Sequence, residues 1–358
     1  MKFGKAVFLF LCFVLAAWPL QAAEQEKQIK VAFVYAGPVG EAGWSFAHDQ
    51  GRKYLEKELP GVKTAFVESV PEGADAEQVM TRFAEEGYKV IFATSYSYMD
   101  AAERVARKFP GVYFEQYAGS KTAVNLATYS GRIYEARYLS GIVAGKMSGT
   151  GKVGYVAAKP VPEVVRDINA FARGARSVNP SARVKVVWTN KWNDHSSDER
   201  ASVVLLDDGC DVITQHQDSP GVLRAAEERG RYAISYNSSM EKFAPKAVLT
   251  GPVWNWGPYF VKRVKAAIEG TWAPGEYWGP MADGIVGLAS FSEAVPPDVV
   301  RLVEAKKKEI EEGKLHPFAG PVKDNQGRLL VPKGKTVSDR EMLIFGWFVE
   351  GVEGSFLN

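Results

Sequence analysis

The chain has 358 residues, 46% of them hydrophobic, and a formal net charge of +2. That length is too great for most single cores and suits two domains of ordinary size. The small net charge argues against nucleic acid or an anionic membrane surface as a partner.

The N-terminus has the pattern of a secretory signal. Lys2 and Lys5 precede an apolar run over residues 6–17, and small residues at 21–23 follow it. A retained membrane anchor is the alternative, but the run is shorter than the roughly 20 residues that a bilayer-spanning helix needs. We therefore predict that residues 1–22 are a signal peptide, cleaved near Ala22, and that the mature protein is periplasmic.

The chain contains two cysteines, Cys12 and Cys210. Cys12 lies inside the apolar run and not at its end, where a lipid-modified cysteine would be needed, so we expect no lipoprotein. Cleavage leaves Cys210 without a partner in the mature chain, which excludes an internal disulfide. We expect Cys210 to be a small buried hydrophobic residue.

After this segment, short β-branched runs alternate with amphipathic runs. Between the first strands, for example, apolar residues of segment 76–84 recur at i, i+3, i+4, i+7 and i+8, the spacing of one helix face. This alternation predicts βαβ units with parallel sheets, an α/β fold of two successive doubly wound units. The predicted strands are 31–35, 90–93, 112–114, 125–128, 153–156, 184–188, 212–214, 233–236 and 248–250, and the predicted helices are 76–84, 101–109, 134–147, 164–177 and 220–229.

The C-terminal part has a different pattern. It predicts a charged helix over 298–312, a hairpin over 322–331 around the turn residues 324–327, and a final helix over 338–347. Ser338 and Glu341 have the spacing of a capping box at the start of that last helix. No obvious long linker separates the two units, so we expect the chain to cross between them several times and to form a hinged pair.

Aromatic and amide-rich segments follow several predicted strands. The segment 43–51 contains Trp44 and Phe46, and Trp192 lies between two asparagines. Ligands of open parallel sheets bind at the carboxyl ends of strands, where flat rings suit a planar organic ligand. One such ring alone is more often packed in a core, but their number at equivalent positions predicts a pocket. Further segments of this kind are 96–99, 216–218, Asn237 and 254–256.

No catalytic or metal-binding motif stands out. Residues 149–152 resemble the end of a phosphate loop, but Val153 and a strand follow where Ser or Thr and a helix are required. The four histidines are scattered without metal-ligand spacing, and there is no Gly-x-Ser-x-Gly elbow. Asp100, at a strand end, suits a helix cap as well as a ligand contact. We expect neither a metal nor another cofactor.

Taken together, these segments resemble the basic membrane protein family, the substrate-binding proteins of nucleoside-type ABC importers. Residues 45–46 look like the family's Ser-Phe-Asn turn, and 95–100 look like its second ligand loop, with Asp100 at the acidic position. Residues 190–194 resemble its Phe-Asn-Asp segment, with Trp192 at the aromatic place. The most recognisable stretches are 135–147 and 317–347.

The resemblance implies a type I periplasmic-binding fold whose two lobes close on a ligand. On this basis we expect lobe 1 to comprise residues 28–129 and 253–283, and lobe 2 to comprise 130–252 and 284–358. Lobe 1 would contribute Trp44, Phe46, Tyr98 and Asp100 to the site. Lobe 2 would contribute Trp192, His216, Asp218 and Asn237, and Trp254 would lie near a crossover.

Three departures from the family pattern bear on the ligand. Lys-Ser-Phe-Asn becomes Trp44-Ser45-Phe46-Ala47, the Asp that engages ribose in nucleoside binders becomes Asn237, and Trp254 takes the place of a Lys. These changes remove the charge-assisted bonds that a sugar would receive. The hypothesis is a purine without ribose, most simply adenine, whose ring edge Asp100, His216, Gln217 or Asp218 would bind.

Two other classes of function stay open at this point. An exported enzyme on this fold, such as a nucleoside hydrolase, would need an acidic cluster at the first strand end, and residues 35–38 contain none. A nucleoside receptor, or a sensor domain with a signalling membrane partner, has the same sequence pattern as a transport receptor. The predicted partners are a purine and an ABC permease, with no nucleic acid, and we expect a monomer.

Overall fold

The computed structural model of the protein describes residues 29–356. The predicted signal peptide, its cleavage region and Cys12 lie outside these residues. Cys210 is a buried free thiol, as expected. Within residues 29–356, no helix has both the length and the hydropathy needed to cross a membrane.

The first of two six-stranded sheets defines what we call lobe 1. All of its strand pairs are parallel, which confirms the α/β prediction. In spatial order its strands are β12 (Glu276–Gly279), β5 (Leu126–Gly131), β4 (Tyr113–Tyr117), β3 (Val90–Ala93), β1 (Ile29–Val34) and β2 (Val62–Val67). Its helices are α1 (Trp44–Glu58), α2 (Ala74–Glu85), α3 (Met99–Lys108) and α8 (Gly257–Glu269).

The second six-stranded sheet, also wholly parallel, defines lobe 2. Its strands, in spatial order, are β10 (Val248–Thr250), β9 (Tyr232–Ile234), β8 (Val212–Gln215), β6 (Lys152–Ala157), β7 (Arg183–Trp188) and β16 (Val352–Glu353). The helices on this side are α4 (Ile133–Met147), α5 (Pro162–Val178), α6 (His195–Asp207), α7 (Gly221–Glu228), α9 (Pro297–Glu311) and α10 (Asp339–Leu343).

The chain crosses between the two sheets after β5, after β10 and after β12. The second and third crossings pair with each other as the antiparallel strands β11 (Pro252–Trp254) and β13 (Val286–Leu288). The first crossing is tied to the third by Glu135, whose Oε2 accepts a hydrogen bond from the Met281 amide at 2.7 Å. Several crossings bound together agree with the expected hinged pair. The residue boundaries of the lobes stay a prediction.

The central strands are buried on both faces. Val31 to Val34 of β1 and Val90 to Ala93 of β3 are all fully buried. A parallel sheet covered by helices on both sides requires such continuous apolar runs. This is why short apolar runs in the sequence predicted a strand at the positions of β1 and β3.

Helices α4 and α5 approach each other at backbone distance. A Cβ built on Gly141 would lie 2.1 Å from the Phe171 carbonyl oxygen, and one on Gly174 would lie 1.9 Å from that of Tyr138. Only glycine permits this approach. It fixes the positions of the two helices relative to each other.

Two predicted elements differ from the structure. The final helix α10 is only five residues long, although Ser338 and Glu341 form the predicted capping box. The aromatic segment after β1 is not a turn, because α1 begins at Trp44 itself and Gly43 precedes it with a φ of 89°. Residues 322–331 do form the predicted hairpin, as β14 (Val322–Lys323) and β15 (Leu329–Val331).

Helix α8 is attached to the first sheet by one buried carboxylate. Glu115 of β4 accepts hydrogen bonds from the Tyr259 hydroxyl at 2.7 Å, from the Trp272 indole at 2.7 Å, and from Arg263. Glu115 is fully buried, so each of these donors would lose its partner together with the carboxylate.

We expect Glu115→Ala to lower the free energy of unfolding by about 3–5 kcal/mol, because it leaves the Arg263 charge without its partner. Glu276→Ala, on the exposed end of the same sheet, is the matched control and should change it by less than about 0.5 kcal/mol. Urea denaturation measures both values. Equal stability of the two variants would show that Glu115 does not hold α8.

Candidate ligand cleft

The carboxyl ends of β3 and β4 in lobe 1 and of β8 and β9 in lobe 2 bring polar and aromatic side chains together. Thr94 follows β3 and Tyr117 ends β4. Asp218 and Asn237 follow β8 and β9. This is the edge at which open parallel sheets bind ligands, and the two lobes contact each other there.

Trp44 is held in one orientation by lobe 1. Its indole Nε1–H donates to the Thr94 carbonyl oxygen at 2.8 Å. Edge-to-face contacts with Tyr117 at 4.5 Å and Trp254 at 5.6 Å between ring centroids pack its sides. The side chain stays half-buried. With its N–H already bonded, Trp44 offers a ligand an aromatic face and no donor.

Asp218 joins the two lobes at the N-terminus of α1. Its Oδ1 accepts a hydrogen bond from the Trp44 backbone N–H at 2.8 Å. The first N–H groups of a helix have no partner within the helix and carry partial positive charge. Gly43 has no side-chain cap to offer, so the carboxylate of lobe 2 caps a helix of lobe 1.

Asn237 extends this contact to the crossover. Its Nδ2 donates to Asp218 Oδ1 at 2.8 Å, while its Oδ1 accepts from the Trp254 indole at 2.8 Å. Asn237 adopts a φ of 67°, in the left-handed region that Asn tolerates better than most residues. Both ends of its amide are thus bonded to protein groups.

Close approach of the lobes depends on Gly43. A Cβ at this position would lie 2.8 Å from the Asp218 carbonyl oxygen. Its backbone N–H donates to Ser238 Oγ at 3.3 Å. Two further contacts bridge the lobes: the Tyr117 hydroxyl donates to Glu163 Oε1 at 3.0 Å, and Lys242 pairs with Glu41 at 2.7 Å.

Behind the cleft, lobe 2 contains a buried group of polar side chains. Arg137 and Asp167 are both fully buried, with 3.4 Å between Nε and Oδ2. The Arg137 guanidinium stacks on the Tyr236 ring at 3.8 Å. Burial raises the pKa of Asp167 to about 7, and the Arg137 charge opposes this shift.

His216 and Trp192 line the lobe 2 side of the cleft. Their ring centroids are 6.0 Å apart, and His216 lies 4.4 Å from Tyr236. Trp192 is 41% exposed, which leaves much of its indole free. Its carbonyl oxygen accepts a hydrogen bond from the Asp218 N–H at 3.1 Å, so Trp192 is fixed relative to the contact between the lobes.

The structure therefore brings most of the predicted site residues into one region. It does not place Tyr98 there, because Tyr98 is fully buried in the core of lobe 1 and its hydroxyl donates to the Val70 carbonyl oxygen at 2.6 Å. No surface of Tyr98 is left for a ligand in this arrangement. The residues brought together are Trp44, Trp192, His216, Asp218, Asn237 and Trp254.

Asp100 and Phe46 also lie apart from these residues. Asp100 is in the first turn of α3, with 72% of its side chain exposed, and it pairs with Lys121 at 2.7 Å. Phe46 is half-buried on α1, two positions after Trp44. Residues two apart on a helix do not face each other, so Phe46 does not extend the surface that Trp44 presents.

Sequence reasoning missed the rings that support Trp44. His48, one helical turn later, lies 4.4 Å from the Trp44 ring and stacks on Trp256 at 4.8 Å. Burial lowers the pKa of His48 to about 3, so it is a neutral packing residue. The i, i+4 spacing of Trp44 and His48 was the available signal. The position of Tyr117 at the carboxyl end of a strand was a second signal in the sequence.

Comparison with known families identifies the class of protein. Residues 28–326 match the family model Bmp, described as ABC transporter substrate-binding protein PnrA-like. The chain belongs to the Bmp family. This confirms the resemblance drawn from the sequence, and with it the type I periplasmic-binding fold.

Individual relatives of this Bmp-family chain agree with the assignment. A purine-binding protein of Brucella abortus (strain 2308) is 45% identical over 93% of this chain and 95% of its own length. A protein of Haloferax volcanii, provisionally named an ABC transporter glucose-binding protein, is 38% identical over 91% of this chain and 81% of its own. A solute-binding protein of Aeropyrum pernix K1 has the same fold, with a TM-score of 0.71, 21% identity, and coverage of 82% of this chain and 94% of its own.

In this family the protein delivers a small molecule to a membrane permease. Within the described residues, no group of three or more His, Cys, Asp or Glu side chains could hold a metal ion. Asp218 and Asn237 form hydrogen bonds that join the lobes and the crossover.

The arrangement around Asn237 requires an amide. In Asn237→Asp, a carboxylate would face Asp218 at a position where Nδ2 now donates at 2.8 Å. We expect a loss of about 1–3 kcal/mol in the free energy of unfolding near neutral pH. In the Asp218→Asn background the same change should cost less, because the new carboxylate at position 237 then faces no second carboxylate. Urea denaturation of all four proteins tests this coupling, and additive effects would contradict it.

Asp218 also predicts a pH dependence. Burial raises its pKa to about 6, opposed by the Trp44 N–H and the Asn237 amide. A carboxyl with a higher pKa in the folded state binds its proton more tightly there, so its ionisation destabilises the fold as pH rises from about 4 to about 6. Asp218→Asn keeps both accepted bonds without the charge. It should be more stable than the wild type by about 1–3 kcal/mol at about pH 7.

This advantage should vanish near pH 4, where Asp218 is protonated in both states. Asp198, which raises the Asp218 pKa by its charge, is present in both proteins and largely cancels in the difference. Denaturation curves of both proteins at several pH values give the comparison. An advantage that is the same at pH 4 and pH 7 would contradict the assignment.

Proposed function

We propose that this protein is the receptor of an ABC importer for a purine, and that the preferred ligand is a free base such as adenine. The ligand would lie between Trp44 of lobe 1 and Trp192 of lobe 2. The lobes would open to admit it and close when it bridges them, so that ligand binding shifts the population toward the closed state.

One observation carries this proposal: the Trp44 indole and the Asn237 amide already have their hydrogen bonds within the protein. The Trp44 indole N–H bonds Thr94, and both ends of the Asn237 amide bond Asp218 and Trp254. A ribose needs several free and preferably charged partners. A planar base needs aromatic faces and a few edge contacts, and the half-buried Trp44 and the exposed part of Trp192 supply such faces.

The relatives support the same choice. The purine-binding protein of Brucella abortus is more similar to this chain, at 45% identity, than the Haloferax volcanii protein named for glucose, at 38%. Glucose is therefore a necessary comparison ligand. Its binding would depend mainly on hydroxyl partners, whereas purine binding would depend mainly on the indoles.

The proposal also covers the localisation, the oligomeric state and the partners of the protein. We propose a monomer that is exported by a cleaved signal peptide to the periplasm, carries no lipid anchor, binds no nucleic acid and catalyses no reaction. A role as nucleoside receptor or as sensor domain is the alternative. Deletion of the gene, followed by measurement of adenine uptake, separates transport from sensing.

Isothermal titration calorimetry tests the ligand. We expect adenine to bind clearly more tightly than adenosine or glucose, because the Asn237 amide that could bind a sugar is already bonded to Asp218 and Trp254. Trp44→Ala should weaken adenine binding by about 1–3 kcal/mol, the range for one lost stacking partner on a base. Tyr96→Ala, an exposed aromatic of lobe 1 that is not among the cleft residues identified above, is the matched control.

If adenosine binds more tightly than adenine, the preferred ligand is the nucleoside and not the free base. If glucose binds more tightly than adenine, the ligand is a sugar and not a purine. An unchanged dissociation constant for Trp44→Ala would remove Trp44 from the site. Because ligand can be retained during purification, the titration uses protein that has been unfolded, dialysed and refolded.

A further inference from the structure

The imidazole of His216 lies against three buried side chains, and each of them has a defined capacity to donate or accept hydrogen bonds. His216 follows β8 and is only 4% exposed. Its Nδ1 lies 3.4 Å from Nη2 of Arg137, 3.5 Å from the Tyr155 hydroxyl and 3.8 Å from Asp167 Oδ2. All three of these residues are fully buried, so the ring cannot exchange them for solvent.

These neighbours determine which ring nitrogen carries the proton. A guanidinium can only donate, and a tyrosine hydroxyl can donate or accept. An ionised Asp167 could only accept, but it lies farther from Nδ1 than Arg137 does and its Oδ2 is directed to Arg137. Nδ1 is therefore the acceptor of the Arg137 N–H. In a neutral imidazole the proton must then be on Nε2.

The neutral form is favoured independently. Burial lowers the pKa of His216 well below its ordinary value, and the charges of Arg137 and Arg166 lower it further. Tyr236 packs against one side of the imidazole at 4.4 Å and is itself covered by Arg137. The ring is thus a neutral group with a fixed orientation.

Nε2 lies on the side of the imidazole opposite Nδ1, away from Arg137. No group within residues 29–356 is hydrogen-bonded to Nε2 in the structure. Outside the buried group, the His216 ring lies next to Trp192, which is 41% exposed. An N–H donor is therefore available beside one of the aromatic faces of the cleft.

We propose that His216 is a specificity-determining residue that donates a hydrogen bond from Nε2–H to an acceptor atom in the plane of the ligand. This rests on the proposed function, in which a planar base lies against Trp192. For adenine the acceptor is one of the ring nitrogens that carry no hydrogen. Arg137 is the positioning residue, because its N–H holds Nδ1 as the acceptor.

The proposal gives His216 a different role from Asp218. Asp218 Oδ1 is occupied by Trp44 and Asn237, so it joins the lobes. His216 makes no bond to lobe 1 among the described residues and keeps its donor for a ligand. A ligand that presents only donors at this position would leave the Nε2–H unpaired when the cleft closes, which disfavours it.

The first experiment measures the tautomer without any ligand. Long-range ¹H–¹⁵N NMR spectra of the imidazoles, assigned with His216→Gln, should show the Nε2–H tautomer of His216 at neutral pH. A dominant Nδ1–H tautomer or a cationic ring would overturn the proposal. Arg137→Met with Asp167→Leu, made together so that no buried charge is left unpaired, should allow the second tautomer to appear. An unchanged spectrum would remove Arg137 from the positioning role.

The second experiment uses calorimetry with adenine and its 1-deaza, 3-deaza and 7-deaza analogues, each of which lacks one ring nitrogen. We expect one analogue to bind the wild type about tenfold to a hundredfold more weakly than adenine. His216→Leu should weaken adenine by a similar factor and lose the discrimination against that analogue. His216→Gln, which keeps an N–H donor and an acceptor for Arg137, should retain most of both. Thermal melting shows whether each variant is folded.

The outcomes separate the inference from the function. If adenine binds tightly but all three analogues bind equally well, or if discrimination persists in His216→Leu, the role of His216 is overturned and the purine receptor stands. If refolded wild-type protein binds neither adenine nor adenosine, the proposal of an adenine ligand is overturned, and with it the pairing of His216 with a ring nitrogen of adenine.

Discussion

The Oδ1 atom of Asp218 accepts hydrogen bonds from the Trp44 backbone in lobe 1 and from the Asn237 amide in lobe 2. The Asn237 oxygen in turn accepts from Trp254, on one of the strands that cross between the lobes. One carboxylate oxygen thus connects both lobes and the hinge. The position of Trp44 relative to lobe 2 depends on this oxygen, because the N–H that it accepts is the backbone N–H of Trp44 itself, the first residue of α1.

Apolar packing and polar bonding have separate tasks around this contact. Rings of lobe 1 hold the Trp44 indole from the sides, and Thr94 removes its only donor. A rigid aromatic surface loses little conformational entropy when a planar ligand stacks on it. In lobe 2, by contrast, a buried guanidinium and carboxylate fix the orientation of His216 from behind. In the proposed function, lobe 1 would therefore supply affinity for flat molecules in general, and lobe 2 would supply selection among them.

Much of this could be predicted from the sequence, because strand ends can be located from short apolar runs. Asn237 directly follows one such run and Asp218 comes a few residues after another, so their place at the cleft followed from the parallel topology. Tyr98 could not be placed in this way. A single turn over Tyr96–Tyr98 exposes Tyr96 and buries Tyr98 completely, and no periodicity indicates which of two rings turns inward. The buried pair of Arg137 and Asp167 was also missed, since its members come from two helices and meet only after those helices pack.

The two departures from the family pattern at Asn237 and Trp254 are chemically one change. An Asp at position 237, as in the family's nucleoside binders, could accept from the Trp254 indole but could not donate to Asp218. A Lys at position 254 would bring an ammonium charge to a site where Asp218 is half-buried and has a raised pKa. Asn is the residue that can satisfy an acceptor on one side and a donor on the other. Hence Asn237→Asp alone would leave Asp218 without the donor that Asn237 now supplies, whereas Asn237 and Trp254 together form an uncharged pair that, in the proposed function, would lie beside a base without sugar.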